Sequence, residues 1–142
     1  EGASNWFWGD PIIHQGIILS PSLDGNLYAL DADTGTLKWT VETEGAVVGS
    51  PAVVSDMVVL QSEDGRVRVV RFRDGAELDF CNLEEGVWAS SSLVVRDNHV
   101  YLTARDHSVR SLKIKPNGNP DEIWVHLTKE DDPLPRGRAS SC

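Results

Sequence analysis

Two aspartates with the spacing of a metal or acid-base pair occur early in the chain. Asp31 and Asp33 stand two positions apart, directly ahead of a Thr-Gly pair. Paired carboxylates can bind a divalent cation or exchange a proton with a substrate. An EF-hand calcium loop needs a ligand at its fifth position, which here is Gly35. The pattern therefore favours a structural turn, in which an Asp side chain accepts backbone amide hydrogen bonds and Gly35 supplies a positive φ.

The histidines and serines are the other candidates for chemistry. His14 and His99 fall at equivalent hairpin positions, His107 replaces a turn glycine, and His126 lies on the last predicted strand. This placement favours solvated or turn roles over metal ligation. The serines of "ASSSL", residues 90–92, begin a predicted strand and lack the G-x-S-x-G pattern of a nucleophile elbow. We therefore expect no catalytic, cofactor-binding or metal-binding residue in this chain.

Composition excludes two classes of partner. The formal net charge is -9 and the thirteen Lys and Arg residues are scattered singly, which disfavours binding to a nucleic-acid backbone. The longest apolar runs have about four residues, against the roughly 20 that a membrane-spanning helix needs, so direct membrane insertion is not expected. The first residues, "EGASN", carry no methionine and no signal-peptide pattern. A removed leader or a piece cut from a longer protein would each produce such a start.

Two cysteines complete the inventory. Cys81 lies in the apolar run "LDFCNL", and Cys142 ends a polar tail. A buried free thiol is expected for Cys81, because the pair defines neither a disulfide framework nor a metal site.

A sequence unit of about 40 residues repeats along the chain. Glycines, aspartates and prolines of the first copy recur 40 positions later, and a third copy follows with small insertions. A repeat of this length indicates one supersecondary unit that buries its apolar faces against its neighbours. The matching positions are Gly9, Pro11, Asp24, Gly25 and Gly35 in the first copy; Gly49, Pro51, Asp64, Gly65 and Gly75 in the second; and Asp106 and Gly118 in the third.

Each copy predicts four short strands, because turn residues separate alternating or β-branched runs. The fold class expected is all-β: three β-propeller blades of four antiparallel strands, in a partial or oligomer-completed propeller. The blades are placed at about 6–45, 46–86 and 87–127, followed by a polar tail or linker at 128–142. The predicted strands are 11–14, 17–20, 26–31 and 36–41; 51–54, 57–61, 66–71 and 76–80; and 93–95, 100–103, 108–113 and 122–125.

The stretch "ALDADTGTLKW" resembles the Ala-x-Asp-x-x-Thr-Gly-x-x-x-Trp signature of quinoprotein-type (PQQ-like) repeats. The Gly-His and Trp-Asp pairs of WD repeats are absent from the sequence. The resemblance extends over residues 6 to 127 and implies that the signature tryptophan packs between blades, against a glycine peptide. The residues that carry it, with their later counterparts, are Ala29, Asp31, Thr34, Gly35, Trp39, Gly75, Gly118 and Trp124.

The second copy departs from the signature at its docking residue. Asp79 stands where the first copy has Trp39, and Phe80 follows it. Two outcomes stay open: looser packing at that seam, or substitution by Phe80. In the third copy, Trp124 follows an insertion.

The resemblance implies a non-catalytic scaffold for protein–protein interaction within an exported or cell-surface protein, because quinone-free members include outer-membrane assembly lipoproteins. Two alternatives remain: a fragment of a PQQ-dependent dehydrogenase whose site lies in missing blades, and the lumenal stress-sensor domain of a membrane kinase. The expected compartment is extracytoplasmic, and no cofactor is expected.

Partner surfaces are expected at two places. Trp6, Trp8 and Trp88 crowd the entries to the first and third blades, as blade-rim packing or as partner-binding anchors. Three blades also leave apolar sheet faces open, since propellers close rings of about four to eight blades. Either the missing blades of its own chain or a homodimer completing a ring would cover those faces.

Overall fold

The computed structural model describes residues 9–83 and 92–128, which form twelve strands in three antiparallel sheets. Each sheet has four strands that pair in chain order, so the predicted all-β propeller-blade fold is confirmed. Within the described ranges, no helix has the length and hydropathy to cross a membrane. Blade one contains β1 (Ile12–His14), β2 (Ile17–Pro21), β3 (Asn26–Asp31) and β4 (Leu37–Glu42); blade two contains β5 (Ala52–Val54), β6 (Met57–Gln61), β7 (Arg66–Arg71) and β8 (Glu77–Asn82); blade three contains β9 (Val94–Arg96), β10 (His99–Ala104), β11 (Ser108–Ile114) and β12 (Pro120–Leu127).

The first two strands of every blade are joined by a two-residue turn. The first turn residue has positive φ in each case: 48° at Gln15, 55° at Ser55 and 55° at Asp97. Such turns match the right-handed twist of a hairpin, which explains why short polar dipeptides separate the runs.

A β-bulge recurs between the last two strands of each blade. The register shifts after Ala29, Val69 and Ser111, so one extra residue is inserted on the outermost strand. As a result Trp39, Asp79 and Trp124 face those three residues at one shared register position.

The core lies in the two seams between blades. One apolar cluster joins blades one and two and includes Leu19, Leu27 and Val58. The other joins blades two and three and includes Val59, Val67 and Leu102. Strand β6 is buried along its whole length because blade two is covered on both faces.

Cys81 lies in the second cluster and is disulfide-bonded. The expectation of a free thiol is therefore wrong, while the expected burial is observed. The other cysteine of the sequence, Cys142, lies outside the described residues. The apolar run around Cys81 explains its burial, but no local pattern in the sequence reveals the disulfide.

Candidate functional site: acidic turns and inter-blade seams

The Asp31 carboxylate is bound by its own turn. Its Oδ1 accepts hydrogen bonds from the amides of Asp33 at 2.9 Å and Thr34 at 3.1 Å. These amides hold the pKa of Asp31 below its ordinary value. Gly35, with φ of 73°, donates its amide to the Asp31 carbonyl at 2.8 Å. The Thr34 hydroxyl donates to Thr36 at 2.8 Å, which ties the far side of the turn.

The corresponding turn of blade two reaches the same shape with different side chains. Arg71 replaces the aspartate, and its Nε donates to Asp74 Oδ1 at 3.0 Å. Asp74 also accepts the Ala76 amide at 3.1 Å. The arginine first, and then that amide, lower the pKa of Asp74. As in blade one, the glycine amide donates to the carbonyl four residues earlier: Gly75 donates to the Arg71 carbonyl at 2.8 Å.

Trp39 joins blade one to blade two. Its Nε1 donates to the Phe72 carbonyl at 2.9 Å. Its ring lies against Gly75, where a Cβ would stand 2.6 Å from the Trp39 Cε3 atom. Gly75 also has φ of 74°, so both the contact and the backbone require glycine.

The seam between blades two and three has different side chains at the equivalent position. A Cβ on Gly118 would stand 2.7 Å from the Leu78 Cβ. Asp79 Oδ2 accepts a hydrogen bond from Asn119 Nδ2 at 2.8 Å. Phe80 is 40% exposed, and its ring lies 5.1 Å from the Arg66 guanidinium carbon. Of the two outcomes left open for this seam, substitution by Phe80 does not occur, because the bulge residue Leu78 reaches the glycine instead.

Two other signature residues, Ala29 and Trp124, differ in burial. Ala29 is fully buried in the first cluster. Trp124 occupies the register position of Trp39, is 44% exposed, and has its ring centroid 6.2 Å from that of Tyr101. The candidate anchors Trp6, Trp8 and Trp88 lie outside the described residues.

A buried arginine cluster in blade three was missed by the sequence reasoning. Arg110 is fully buried, and its guanidinium nitrogens lie 2.7 Å from Asp106 Oδ2 and 3.0 Å from Glu122 Oε2. Its Nε donates to Ser108 Oγ at 3.0 Å, and that hydroxyl donates to Asp106. The signal present in the sequence is an Asp four residues before an Arg, across the turn between two strands.

Blade two repeats the arrangement, and blade one varies it. Arg68 bonds Asp64 and the Ser62 hydroxyl, both at 2.8 Å. Burial alone raises the pKa of Asp64, but the bonds from Arg68, Ser62 and a backbone amide outweigh it and lower the pKa. In blade one, Tyr28 donates its hydroxyl to Asp24 at 2.6 Å instead. That bond raises the pKa of Tyr28.

Two of the four histidines, His14 and His107, have structural contacts. His14 makes an edge contact with Phe72, with ring centroids 5.0 Å apart. His107 has φ of 64° at the position where the other repeats have Gly25 and Gly65, and its carbonyl accepts both the amide and the hydroxyl of Thr128. In the described ranges no three His, Cys, Asp or Glu side chains converge as metal ligands.

The blades, bulges and tryptophan seam together define a PQQ-like β-propeller. A family model described as outer membrane protein assembly factor BamB matches residues 3–78, more than half of the chain. The chain therefore belongs to this family of PQQ-like propeller proteins.

Known relatives include both enzymes and an assembly factor. Subunit 1 of methanol dehydrogenase [cytochrome c] from Methylorubrum extorquens is 41% identical over 58 residues, covering 37% of this chain and 9% of that protein. The crystal structure of BamB from Moraxella catarrhalis superposes with a TM-score of 0.74 at 18% identity, covering 89% of this chain and 38% of that one. Quinohemoprotein alcohol dehydrogenase from Comamonas testosteroni also gives a TM-score of 0.74, at 16% identity, covering 87% of this chain and 21% of that one. The chain thus spans well under half the length of these proteins, and the structural matches show the fold alone.

Proposed function

We propose that the chain is part of a non-catalytic β-propeller scaffold that binds other proteins. The observation that carries the proposal is the use of the repeat carboxylates. Asp31 and Asp74 are bound within their own turns, and Asp64 and Asp106 are bound by buried arginines. The oxygens of these carboxylates already accept hydrogen bonds or ion pairs from the protein itself. This supports a structural role for them rather than a role in proton transfer or metal binding.

The surface proposed for partner binding lies at the ends of β2 and β4. The turn at residues 23–25 and the connection at residues 43–46 border an open cleft. Glu44 and Glu63 are exposed on neighbouring segments there, and the Glu44 amide lies 3.3 Å from Asp64 Oδ2. With a net charge of -9 on the chain, this surface is complementary to a basic segment of a protein partner.

Two observations support an exported or cell-surface location. Cys81 is disulfide-bonded, and disulfides persist in oxidising compartments outside the cytosol. The matching family model is described as an outer membrane protein assembly factor. The proposed compartment is therefore extracytoplasmic.

A second candidate function is favoured by one comparison. The 41% identity to methanol dehydrogenase over 58 residues supports a dehydrogenase segment whose active site lies on other blades. Such a segment would carry the same turns and seams, since these belong to the fold and not to the catalytic centre.

Titration calorimetry of the intact protein, including any further blades, with pyrroloquinoline quinone and calcium distinguishes the two candidates. The scaffold predicts no saturable heat, whereas one-to-one saturable binding would contradict it and support the dehydrogenase.

A second arm tests the proposed surface. The folded chain is immobilised and exposed to extracts of cell envelopes, beside a Glu44→Lys, Glu63→Lys variant and a Lys115→Glu control on blade three. A partner retained by wild type and control but released by the double variant supports the scaffold. Equal retention by all three chains would overturn the assigned surface.

A further inference from the structure

The turn between β11 and β12 contains an asparagine that is directly followed by a glycine. Asn117 is exposed, and Gly118 after it has φ of 92°. No other Asn-Gly pair occurs in the sequence. The Cγ atom of an asparagine can be attacked by the backbone nitrogen of the next residue, and a glycine has no Cβ to obstruct that approach. The turn therefore carries a side-chain amide that can react with its own backbone.

The exposure of this position belongs to the fold of a blade. In blade two the residue before the turn glycine is Asp74, whose side chain is 45% exposed although blade two is covered on both faces. In blade one the equivalent residue, Thr34, is exposed as well. Neighbouring blades thus leave this turn position open to water, which the reaction consumes.

Hydrogen bonds within the turn both assist and restrain the reaction. The Asn119 amide donates to Asn117 Oδ1 at 3.0 Å, where it stabilises the negative charge that develops on this oxygen during attack. The Gly118 amide donates to the Lys115 carbonyl at 2.8 Å. That bond must open before the Gly118 nitrogen attacks, so the folded turn reacts more slowly than the same residues in an unfolded chain.

We propose that Asn117 is a site of spontaneous deamidation that loosens the seam between blades two and three. The Gly118 nitrogen loses its proton to hydroxide and forms a bond to Asn117 Cγ, and the side-chain nitrogen takes a proton from water and leaves as ammonia. Water then opens the cyclic imide at either carbonyl and gives aspartate or isoaspartate. The net change consumes one water and releases one ammonia, with no oxidant or reductant. This inference is independent of the proposed scaffold function.

The modification affects the seam because the turn lies against blade two. A Cβ on Gly118 would stand 2.7 Å from Leu78 Cβ, so the glycine backbone is closely packed there. Asn119 Nδ2 donates to Asp79 Oδ2 at 2.8 Å across the same seam. Isoaspartate adds one methylene to the main chain directly before Gly118, which displaces the glycine. Both products also add a negative charge two residues from the Asn119–Asp79 bond, where it repels the Asp79 carboxylate.

Peptide mapping by mass spectrometry tests the site on the folded 142-residue chain after incubation at mildly alkaline pH. Asn117 is expected to convert to the acid and to become a substrate of a protein isoaspartyl methyltransferase. Asn98, which also lies between two strands but is followed by His99, is the internal control. Conversion at Asn117 is expected to be at least about tenfold faster, a barrier difference of about 1.4 kcal/mol. Asn119 is a second control, because Pro120 has no amide proton and cannot form the imide.

Urea unfolding tests the effect on the seam. The deamidated chain, separated by ion exchange, is expected to unfold at a lower urea concentration than the unmodified chain. Asn117→Ser removes the reactive amide but keeps an exposed side-chain oxygen, and its midpoint should not change during the incubation. A decline in wild type that is absent from this variant therefore originates at Asn117.

The two measurements can fail separately. An Asn117 that stays unconverted in the folded chain, or an Asn98 that converts at the same rate, would overturn the modification site. Conversion of Asn117 with an unchanged urea midpoint would overturn its effect on the seam.

Discussion

The indole of Trp39 lies against the backbone of Gly75 and donates its Nε1 to the Phe72 carbonyl at 2.9 Å. One side chain thereby satisfies a backbone acceptor on the next blade and fills the space that a Cβ would occupy. A seam built this way is sensitive at the glycine, at the ring and at the ring nitrogen, and each can be altered separately.

Gly75→Ala is expected to destabilise the protein by about 2–4 kcal/mol, because it adds a ring clash to positive-φ strain. Gly16→Ala is the matched control: its φ is 75°, and nothing lies within 4 Å of its Cβ position. Urea unfolding measures both variants, and their difference isolates the clash. Equal losses would show that the indole does not contact Gly75 in solution.

Truncation of Trp39 is expected to cost about 2–4 kcal/mol, somewhat below a fully buried ring because the side chain is partly exposed. Trp39→Phe keeps much of the packing but leaves the Phe72 carbonyl without its donor, a loss of about 1 kcal/mol. Thermal unfolding of the two variants should rank them in that order. A smaller effect for Ala than for Phe would contradict the seam.

Arg110→Met is expected to cost about 3–5 kcal/mol, because it leaves Asp106 and Glu122 as buried carboxylates without a counter-charge. Arg71→Met, at a pair whose side chains are 36% and 45% exposed, is the control and should cost at most about 1 kcal/mol. Chemical denaturation compares the two. Similar losses would mean that the Arg110 cluster is solvated.

Stability is expected to fall in acid through the same clusters. For Asp106, burial raises the pKa, but the Ser108 hydroxyl and the Arg110 guanidinium bring it below the ordinary value of 3.8. A lowered folded-state pKa adds stability that is complete above the unfolded value and disappears as pH falls through the folded pKa. Urea midpoints should therefore decrease below about pH 4, where unfolded aspartates begin to take up protons.

Asp106→Asn tests the source of this pH dependence. The variant is less stable at neutral pH, and its midpoint should change less between pH 5 and pH 3 than that of wild type. An unchanged slope would place the acid sensitivity at other carboxylates.

The strand bounds and turn conformations could be predicted from the sequence because they depend on local interactions. Strands β3, β6 and β7 have the bounds expected from alternation and turn residues. His107 takes the left-handed conformation of the glycines that it replaces, as its alignment indicated. These features depend on a few neighbouring residues, and the backbone preferences of those residues can be inferred from a single sequence.

The tertiary structure decided which side chains meet across a seam. A one-residue bulge placed Leu78, and not Phe80, on Gly118, because inserting one residue reverses the faces that follow. From the sequence alone, Arg110 would be taken for a solvated surface charge. In the structure it is paired with two carboxylates, Asp106 and, on the neighbouring strand, Glu122. Such contacts depend on how sheets approach one another, which residue spacing along the chain does not encode.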